Sequence, residues 1–509
     1  MSYLELLKLV SPEAVVVVTA LIVLAVGLAS NRVTAMAGVS SAKPTNKAAG
    51  TPATTGWCSL MAAAGLVMAL VAVLMLPNNA TLFGGMLVIS PLTSLFKIIC
   101  IGLAFFAVLL TTSAKSLRHP GEYLAILLLA TVGLMVLVGS EELLIIFIGL
   151  ELLGLSLYVM AAFDKTDVRS AEAGMKYFLF GSTSSAFTLF GISLIYGMSG
   201  TTSLLAISQK LATASAQPVL AVGIIMTLIG FAFKIAAAPF HLWVPDAYQG
   251  APVPSAAFIA SGSKVASFVV LGRIVLVGFA PVHGSANWHA LVAGWSPVLA
   301  ILSALSILVG NLVALAQSNV RRLLAYSAVA HGGYTLIGLV AGGLDGFSAA
   351  LFYTTIYAIT LVGAFGVVAL VRRETGGDDF SNFSGLRSRS PLLAGCMAIF
   401  MLSLAGIPPL AGFFGKFYLF SVALHADAGH GLLWLVAIAL FGSLISLYYY
   451  LVVLKVIFVD ESSSIAARPF KGLPSDLLQR ITISVLAALV LLLGIMPNAL
   501  AARILAAMP

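Results

Sequence analysis

Hydrophobic positions in this chain do not alternate with polar ones. They come in continuous runs, most of them about 20 residues or longer. About 20 apolar residues is what an α-helix needs to cross the hydrocarbon of a bilayer, where only helices and closed barrels satisfy every backbone group. Barrel strands are shorter and alternate every second residue, so they are excluded. The pattern predicts an all-α polytopic membrane protein with fourteen spans, near 12–30, 57–76, 91–114, 121–139, 141–163, 170–199, 218–238, 254–279, 291–316, 321–341, 346–371, 391–424, 431–459 and 478–506.

Composition agrees. Of 509 residues 61% are hydrophobic and 44 are charged (26 basic, 18 acidic), whereas a soluble protein of this size carries roughly 120 charges. A soluble fold, an array of soluble domains and a disordered tail are excluded. The net charge of +8 fits the excess of Lys and Arg in cytoplasmic loops better than a nucleic-acid surface. Seventeen basic residues follow odd-numbered spans: Arg32, Lys43, Lys47, Lys115, Arg118, Lys165, Arg169, Arg321, Arg322, Arg372, Arg373, Arg387, Arg389, Lys455, Arg468, Lys471 and Arg480. Only Lys8, Lys210, Arg273 and Arg503 fall on the other side. One miscounted helix would scramble that split, so it supports the count and predicts both termini on the non-cytoplasmic side. The first run resembles a signal peptide with Ala35-Met36-Ala37 as cleavage site, but Glu5, Lys8 and Glu13 precede it and it is too long, so it is expected to stay as a span. The longest loops, about 31–56 and 372–390, read as connectors.

Five lysines lie inside spans, Lys97, Lys176, Lys234, Lys264 and Lys416, and one acid, Glu151, sits in the middle of a span. A charge at mid-membrane costs about 2.5–3.5 kcal/mol on insertion scales, so each position needs a reason. Lys97 lies within snorkelling reach of an interface, and Arg273 reads as an interface anchor. Lys176 has Glu172 one helical turn before it, an ordinary i,i+4 pair, so a structural and a functional reading both stand. Lys234, Lys264, Lys416 and Glu151 are too deep to escape. A structural salt bridge between Glu151 and Lys234 is one reading of them, but it leaves two lysines without an acid. Burial penalises an unpaired ammonium, which lets such a lysine release and regain a proton near neutral pH. Making and breaking a Glu151–Lys234 contact then becomes a switch of proton affinity.

Two of these lysines adjoin broken helices. Lys234 precedes Pro239, Pro245, Pro252 and Pro254, and Lys416 follows Gly406-Ile407-Pro408-Pro409. Proline removes a donor and displaces the carbonyl four residues back, which a membrane tolerates only beside protein or a wet cavity. The breaks fall in spans 7 and 12, and an odd offset inverts the second copy, so spans 4–8 and 9–13 are expected to be inverted five-helix repeats. The chain then divides into 1–120 (spans 1–3), 121–280 (first repeat), 281–460 (second repeat) and 461–509 (span 14). His331 lies mid-span, where it serves either as a satisfied core residue or as a proton relay. His241 follows the first break; His119, His283, His289, His425 and His430 read as loop residues. Cys58, Cys100 and Cys396 sit in apolar stretches and read as packing residues, without disulfide or metal-ligand spacing.

The fourteen spans, the broken segment Phe233–Trp243 leading into Val244-Pro245-Asp246-Ala247, the stretch Ala325–Tyr334, and Gly406-Ile407-Pro408-Pro409 running to Gly415-Lys416-Phe417 together resemble the antiporter-like subunits of respiratory complex I, a family shared with Mrp cation/proton antiporters. The likeness covers nearly the whole chain. Gly415-Lys416-Phe417-Tyr418 resembles the N type of bacterial NADH–quinone oxidoreductase, since the M type usually has Glu at the Lys416 position, and the L type's long lateral helix is missing. The resemblance implies that Glu151 pairs with Lys234, that Lys264 links the two half-channels, that His331 belongs to the central connection, and that Lys416 serves the other side. Lys176 matches a lysine of this subunit type. It also implies proton translocation coupled to quinone reduction elsewhere in a complex of the bacterial cytoplasmic (inner) membrane. The chain itself is expected to hold no cofactor, with NADH, FMN, iron–sulfur clusters and quinone in partner subunits. The expected partners are the M-type and the small K/J/A-type membrane subunits and the lipid bilayer, with no nucleic acid. A subunit of a multi-subunit Na⁺/H⁺ antiporter is the alternative within transport. A cytochrome b-like protein needs facing pairs of mid-membrane histidines, and only His331 is well placed. A purely structural anchor leaves three mid-span lysines unexplained.

Overall fold

The computed structural model describes residues 3–39, 52–112, 117–213, 217–426, 429–461 and 476–508, the side chains of 31–39 and 52–55 excepted. Lys43, Lys47, Lys115, Arg468, Lys471 and the side chain of Arg32 therefore lie outside the described residues. A short helix α1 (Tyr3–Leu9) precedes the first two spans, α2 (Ser11–Val39) and α3 (Pro52–Leu74). A hairpin follows, with β1 (Ala80–Leu82) antiparallel to β2 (Leu87–Ile89) and Ala80 opposite Ile89. Next come α4 (Pro91–Thr111), α5 (Pro120–Gly139), α6 (Leu143–Ala161), α7 (Val168–Ser199) and the amphipathic α8 (Leu204–Thr213), which buries Leu204, Ile207 and Leu211.

Span 7 is α9 (Pro218–Lys234), an irregular stretch, and α10 (Val244–Gly250). Span 8 is α11 (Val253–Ala260), α12 (Gly262–Arg273) and a π-helical turn over Ile274–Gly278. Spans 9 to 11 are α13 (Trp295–Ala314), α14 (Val320–Ala341) and α15 (Gly343–Thr375). After single turns α16 (Phe380–Phe383) and α17 (Leu386–Arg389), span 12 divides into α18 (Pro391–Ala405) and α19 (Ala411–His425). α20 (Leu433–Phe458), α21 (Asp476–Ile495) and α22 (Asn498–Ala507) complete the described chain.

Among the described residues twelve helices are long and apolar enough to cross a membrane. The two expected spans missing from that set are 7 and 12, the pair that proline interrupts. With 17 residues in α9 and 15 each in α18 and α19, each piece covers at most about 26 Å, short of the ~30 Å hydrocarbon core. Two further spans depart from the predicted pattern. Span 8 is also interrupted, at Ser261, whose φ of −113° and ψ of −83° are not helical. Span 14 is not one helix over 478–506: α21 stops at Ile495 and Pro497 starts a separate helix, because proline cannot continue the hydrogen-bond ladder.

The centre of the bundle is made by α11–α12 with its π turn, α14 and α15, each 94% buried over its apolar window, against 28–78% for the other long spans. Side chains facing outward on α3, α7 and α20 are large and apolar, such as Met68, Phe190 and Leu444, as a lipid-facing surface requires.

Several charges near the span ends are paired. Lys97 does not snorkel; its side chain is buried and its Nζ lies 2.6 Å from Glu13 of α2. Arg273 turns inward rather than toward headgroups, donating to the carbonyls of Val138 (3.0 Å) and Ser140 (3.3 Å) and to the Glu141 carboxylate. On the face that carries the basic loops, Arg321 is fully buried and donates to Asp378 and to the Ala251 carbonyl (2.9 Å), while Arg372 (3.2 Å) and Asn319 (3.2 Å) also reach Asp378. This cluster joins the start of α14, the end of α15 and the loop before α11, so it ties the two halves together. An Asp378→Ala change strands the Arg321 guanidinium in the interior. It is expected to destabilise the fold by about 3–5 kcal/mol, read as a lowered unfolding temperature of the purified protein in detergent; an unchanged melting curve would contradict this role.

Candidate functional site

The break in span 7 exposes backbone groups that a helix would have paired. Ala236 adopts a left-handed φ of +64° and Pro239 has no N–H to continue the ladder. The freed groups find protein partners: the Trp243 indole N–H donates to the Phe233 carbonyl (3.2 Å), and the Ala238 N–H donates to Ser306 Oγ of α13 (2.8 Å). Gly332 of α14 permits close approach here, since a Cβ on it would stand 2.9 Å from the Ile235 carbonyl. Lys234, the last residue of α9, is buried, and its Nζ has no hydrogen-bond partner among the described residues. Its ammonium lies over the Tyr158 ring, 5.5 Å from the centroid.

Lys264 and Lys416 repeat this arrangement. Lys264 is the third residue of α12, directly after the interruption at Ser261, so all three deep lysines adjoin broken helices. Its Nζ donates to the Ala328 carbonyl of α14 (2.5 Å) and lies 5.4 Å over the Tyr357 ring. Lys416, in α19, reaches back across the span 12 break to the Ala405 carbonyl (3.0 Å), the last residue of α18, and lies 5.1 Å over the Tyr334 ring. A helix C-terminus has unpaired carbonyls and negative dipole character, which suits a cation. A desolvated cation–π contact contributes up to about 2 kcal/mol. Among the described residues no ion pair forms with any of the three lysines; carbonyls and tyrosine rings stand where acids would be.

Between Lys264 and Lys416 lies an aromatic polar core. His331 Nδ1 is 2.7 Å from the Tyr353 hydroxyl of α15, and Nε2 is 3.1 Å from the Tyr450 hydroxyl of α20. The imidazole stacks on Tyr357, with centroids 4.8 Å apart. Ser327 joins Tyr450 at 2.5 Å, and Asn311 bonds the hydroxyls of both Tyr334 and Tyr449 at 3.0 Å. His331 is thus neither isolated nor merely packed: both ring nitrogens have hydroxyl partners. The sequence reading missed these tyrosines. The available signal was their density, five within α15 and α20 at Tyr353, Tyr357, Tyr448, Tyr449 and Tyr450.

The expected Glu151–Lys234 contact is not formed in this structure. Glu151 is partly exposed on α6 and accepts a hydrogen bond from Ser185 Oγ of α7, while Lys234 points under Tyr158. Lys176 does pair with Glu172 (2.6 Å), and also with Asp246 of α10 (2.6 Å). Asp246 in turn accepts from Arg322 of α14 (3.0 Å). His241 is buried beside Tyr326, ring centroids 6.4 Å apart, with Nδ1 unpaired. Among the described residues no three His, Cys, Asp or Glu side chains group to hold a metal.

Asp246 anchors the segment after the break to both neighbouring helices through half-buried charges. Its replacement by Ala leaves Lys176 and Arg322 without this acceptor. The expected loss is about 1–2 kcal/mol, allowing for solvent screening of each pair, measured as a lower midpoint of thermal unfolding in detergent, with Asp246→Glu restoring part of it.

The geometry has close counterparts. A family model described as NADH:quinone oxidoreductase/Mrp antiporter, TM, matches residues 140–446. A protein of Acidobacterium capsulatum, NADH-quinone oxidoreductase subunit N 2, is 48% identical over 453 residues, covering 87% of this chain and 90% of its own length. NADH-quinone oxidoreductase subunit N of Granulibacter bethesdensis is 38% identical over 480 residues, 92% of each chain. Among solved structures, a chain of respiratory complex I from Thermus thermophilus superposes with a TM-score of 0.73 at 30% identity, covering 94% of this chain and 98% of that one. A chain of the Mrp complex from Dietzia sp. shares the fold, with a TM-score of 0.78 at 21% identity over 99% of this chain and 97% of its own. The chain therefore belongs to the antiporter-like membrane-subunit family of NADH:quinone oxidoreductases and Mrp antiporters, within its subunit N branch.

Proposed function

We propose that this chain is the N-type, proton-translocating and non-redox membrane subunit of an NADH:quinone oxidoreductase. The observation that carries the reading is the set of three deep lysines, without acidic partners among the described residues, each at a helix interruption and each against a tyrosine ring. A structural ion pair has no reason to be built so. A group that must accept and release protons does, because desolvation narrows the gap between the charged and neutral amine, while carbonyls and π-faces keep the ammonium accessible.

In this reading Lys234, Lys264, His331 and Lys416 carry the proton between the two halves, and Glu151 and Lys176 bias Lys234 from α6 and α7. Glu151 held by Ser185 represents the separated state of the Glu151–Lys234 switch; rotation of the carboxylate inward would restore the contact and favour protonated Lys234. Spans 4–8 and 9–13 act as inverted repeats, each with a water path from one side. The basic loops face the cytoplasm and both termini the opposite side of a bacterial inner membrane. NADH, FMN, iron–sulfur clusters and quinone belong to partner subunits, with M-type and K/J/A-type subunits as membrane neighbours.

Lys234→Ala and Lys416→Ala in the assembled complex are expected to reduce proton pumping by membrane vesicles and quinone reductase activity together, with subunit assembly intact. Wild-type pumping in both assembled variants would sink the mechanism. Isolation of the chain with flavin and iron–sulfur proteins is expected; isolation with antiporter subunits alone would favour the Na⁺/H⁺ antiporter instead.

A further inference from the structure

We propose that the hydroxyls of Tyr450 and Tyr353 are the groups that pass the proton into and out of His331, a step that rests on the proton-translocating reading above. A neutral imidazole has one donor and one acceptor nitrogen, and a phenol can donate and accept at once. Tyr450 OH at 3.1 Å from Nε2 and Tyr353 OH at 2.7 Å from Nδ1 therefore make an unbroken hydroxyl–imidazole–hydroxyl chain.

One end of that chain lies beside the residue that holds Lys264, and the other packs on the helix that carries Lys416. Tyr450 bonds Ser327 (2.5 Å), one residue from Ala328, whose carbonyl holds Lys264 Nζ. Tyr353 packs on the residue before Lys416: a Cβ on Gly415 would stand 2.6 Å from Tyr353 Cδ2. The glycine lets α19 lie directly on the phenol.

The step balances without any external reagent. A proton arriving at the Tyr450 oxygen releases the hydroxyl's own proton to Nε2, forming an N–H bond there. Nδ1 then gives its proton to the Tyr353 oxygen, and the Tyr353 hydroxyl proton leaves toward the neutral amine of Lys416, which becomes ammonium. One proton enters and one leaves, and His331 finishes as the other tautomer. Transfer in the opposite sense restores the first tautomer.

The test replaces each phenol by its ring alone, with Tyr450→Phe and Tyr353→Phe made singly in the full complex. Each variant keeps the aromatic packing on His331, so assembly is expected to be retained. Proton pumping and coupled quinone reduction are expected to fall on the order of tenfold where this transfer limits turnover, with a larger solvent deuterium isotope effect than wild type. NADH oxidation by an artificial acceptor stays unchanged. Tyr123→Phe removes a buried hydroxyl that bonds Ser255 rather than His331, Tyr353 or Tyr450, and is expected to pump normally. Wild-type pumping and isotope effect in the Tyr450 and Tyr353 variants, with the lysine variants impaired, would overturn the relay alone. Wild-type pumping in the lysine variants would overturn the function it rests on. Should one phenylalanine variant fail to assemble, the other carries the same expectation.

Discussion

The cost of an ammonium in hydrocarbon governs this structure. Among the described residues three lysines sit at depth without an acid, and the chain meets that cost by interrupting a helix beside each one. Interruption supplies carbonyls that a continuous helix would have used internally, as Ala405 does for Lys416, or an amine position at a helix end, as for Lys234. Lys264 borrows the carbonyl of Ala328 from α14 and follows the non-helical Ser261. Tyrosine faces complete each site. The interruptions in turn require protein around them, which explains why the most enclosed helices of the bundle hold Lys264 and His331.

The charges at the rim serve another purpose. Arg321 with Asp378, Lys176 with Asp246, and Arg273 with Glu141 are all paired. Pairing holds these segments in place. The contrast is between charges held in ion pairs and, among the described residues, three central lysines held by carbonyls and tyrosine rings.

Much of this was legible in the sequence. Spans stand out because lipid leaves no alternative to long apolar helices, and Pro239 and Pro408-Pro409 mark two of the breaks. The interruption at Ser261 carried no proline, only a Ser-Gly-Ser run that packing bends. Lys97 reads as a snorkelling side chain and Arg273 as an interface anchor because their partners, Glu13 and Glu141, lie 84 and 132 residues away along the chain. The tyrosines were invisible for the same reason. A phenol in an apolar helix looks like core until packing brings it to a partner such as Ser327, 123 residues from Tyr450. The position of Glu151 depends on a rotamer, which no pattern of residue types encodes.

His331 has the same kind of group on either side. A passive hydrogen-bonded wire has no rectifying element of its own, because microscopic reversibility holds whatever its contacts. Vectorial transport must therefore be imposed from outside the core, by alternating which end is connected to which aqueous reservoir. On the proposed reading the core is a conductor, and the valve lies with the broken helices and whatever moves them.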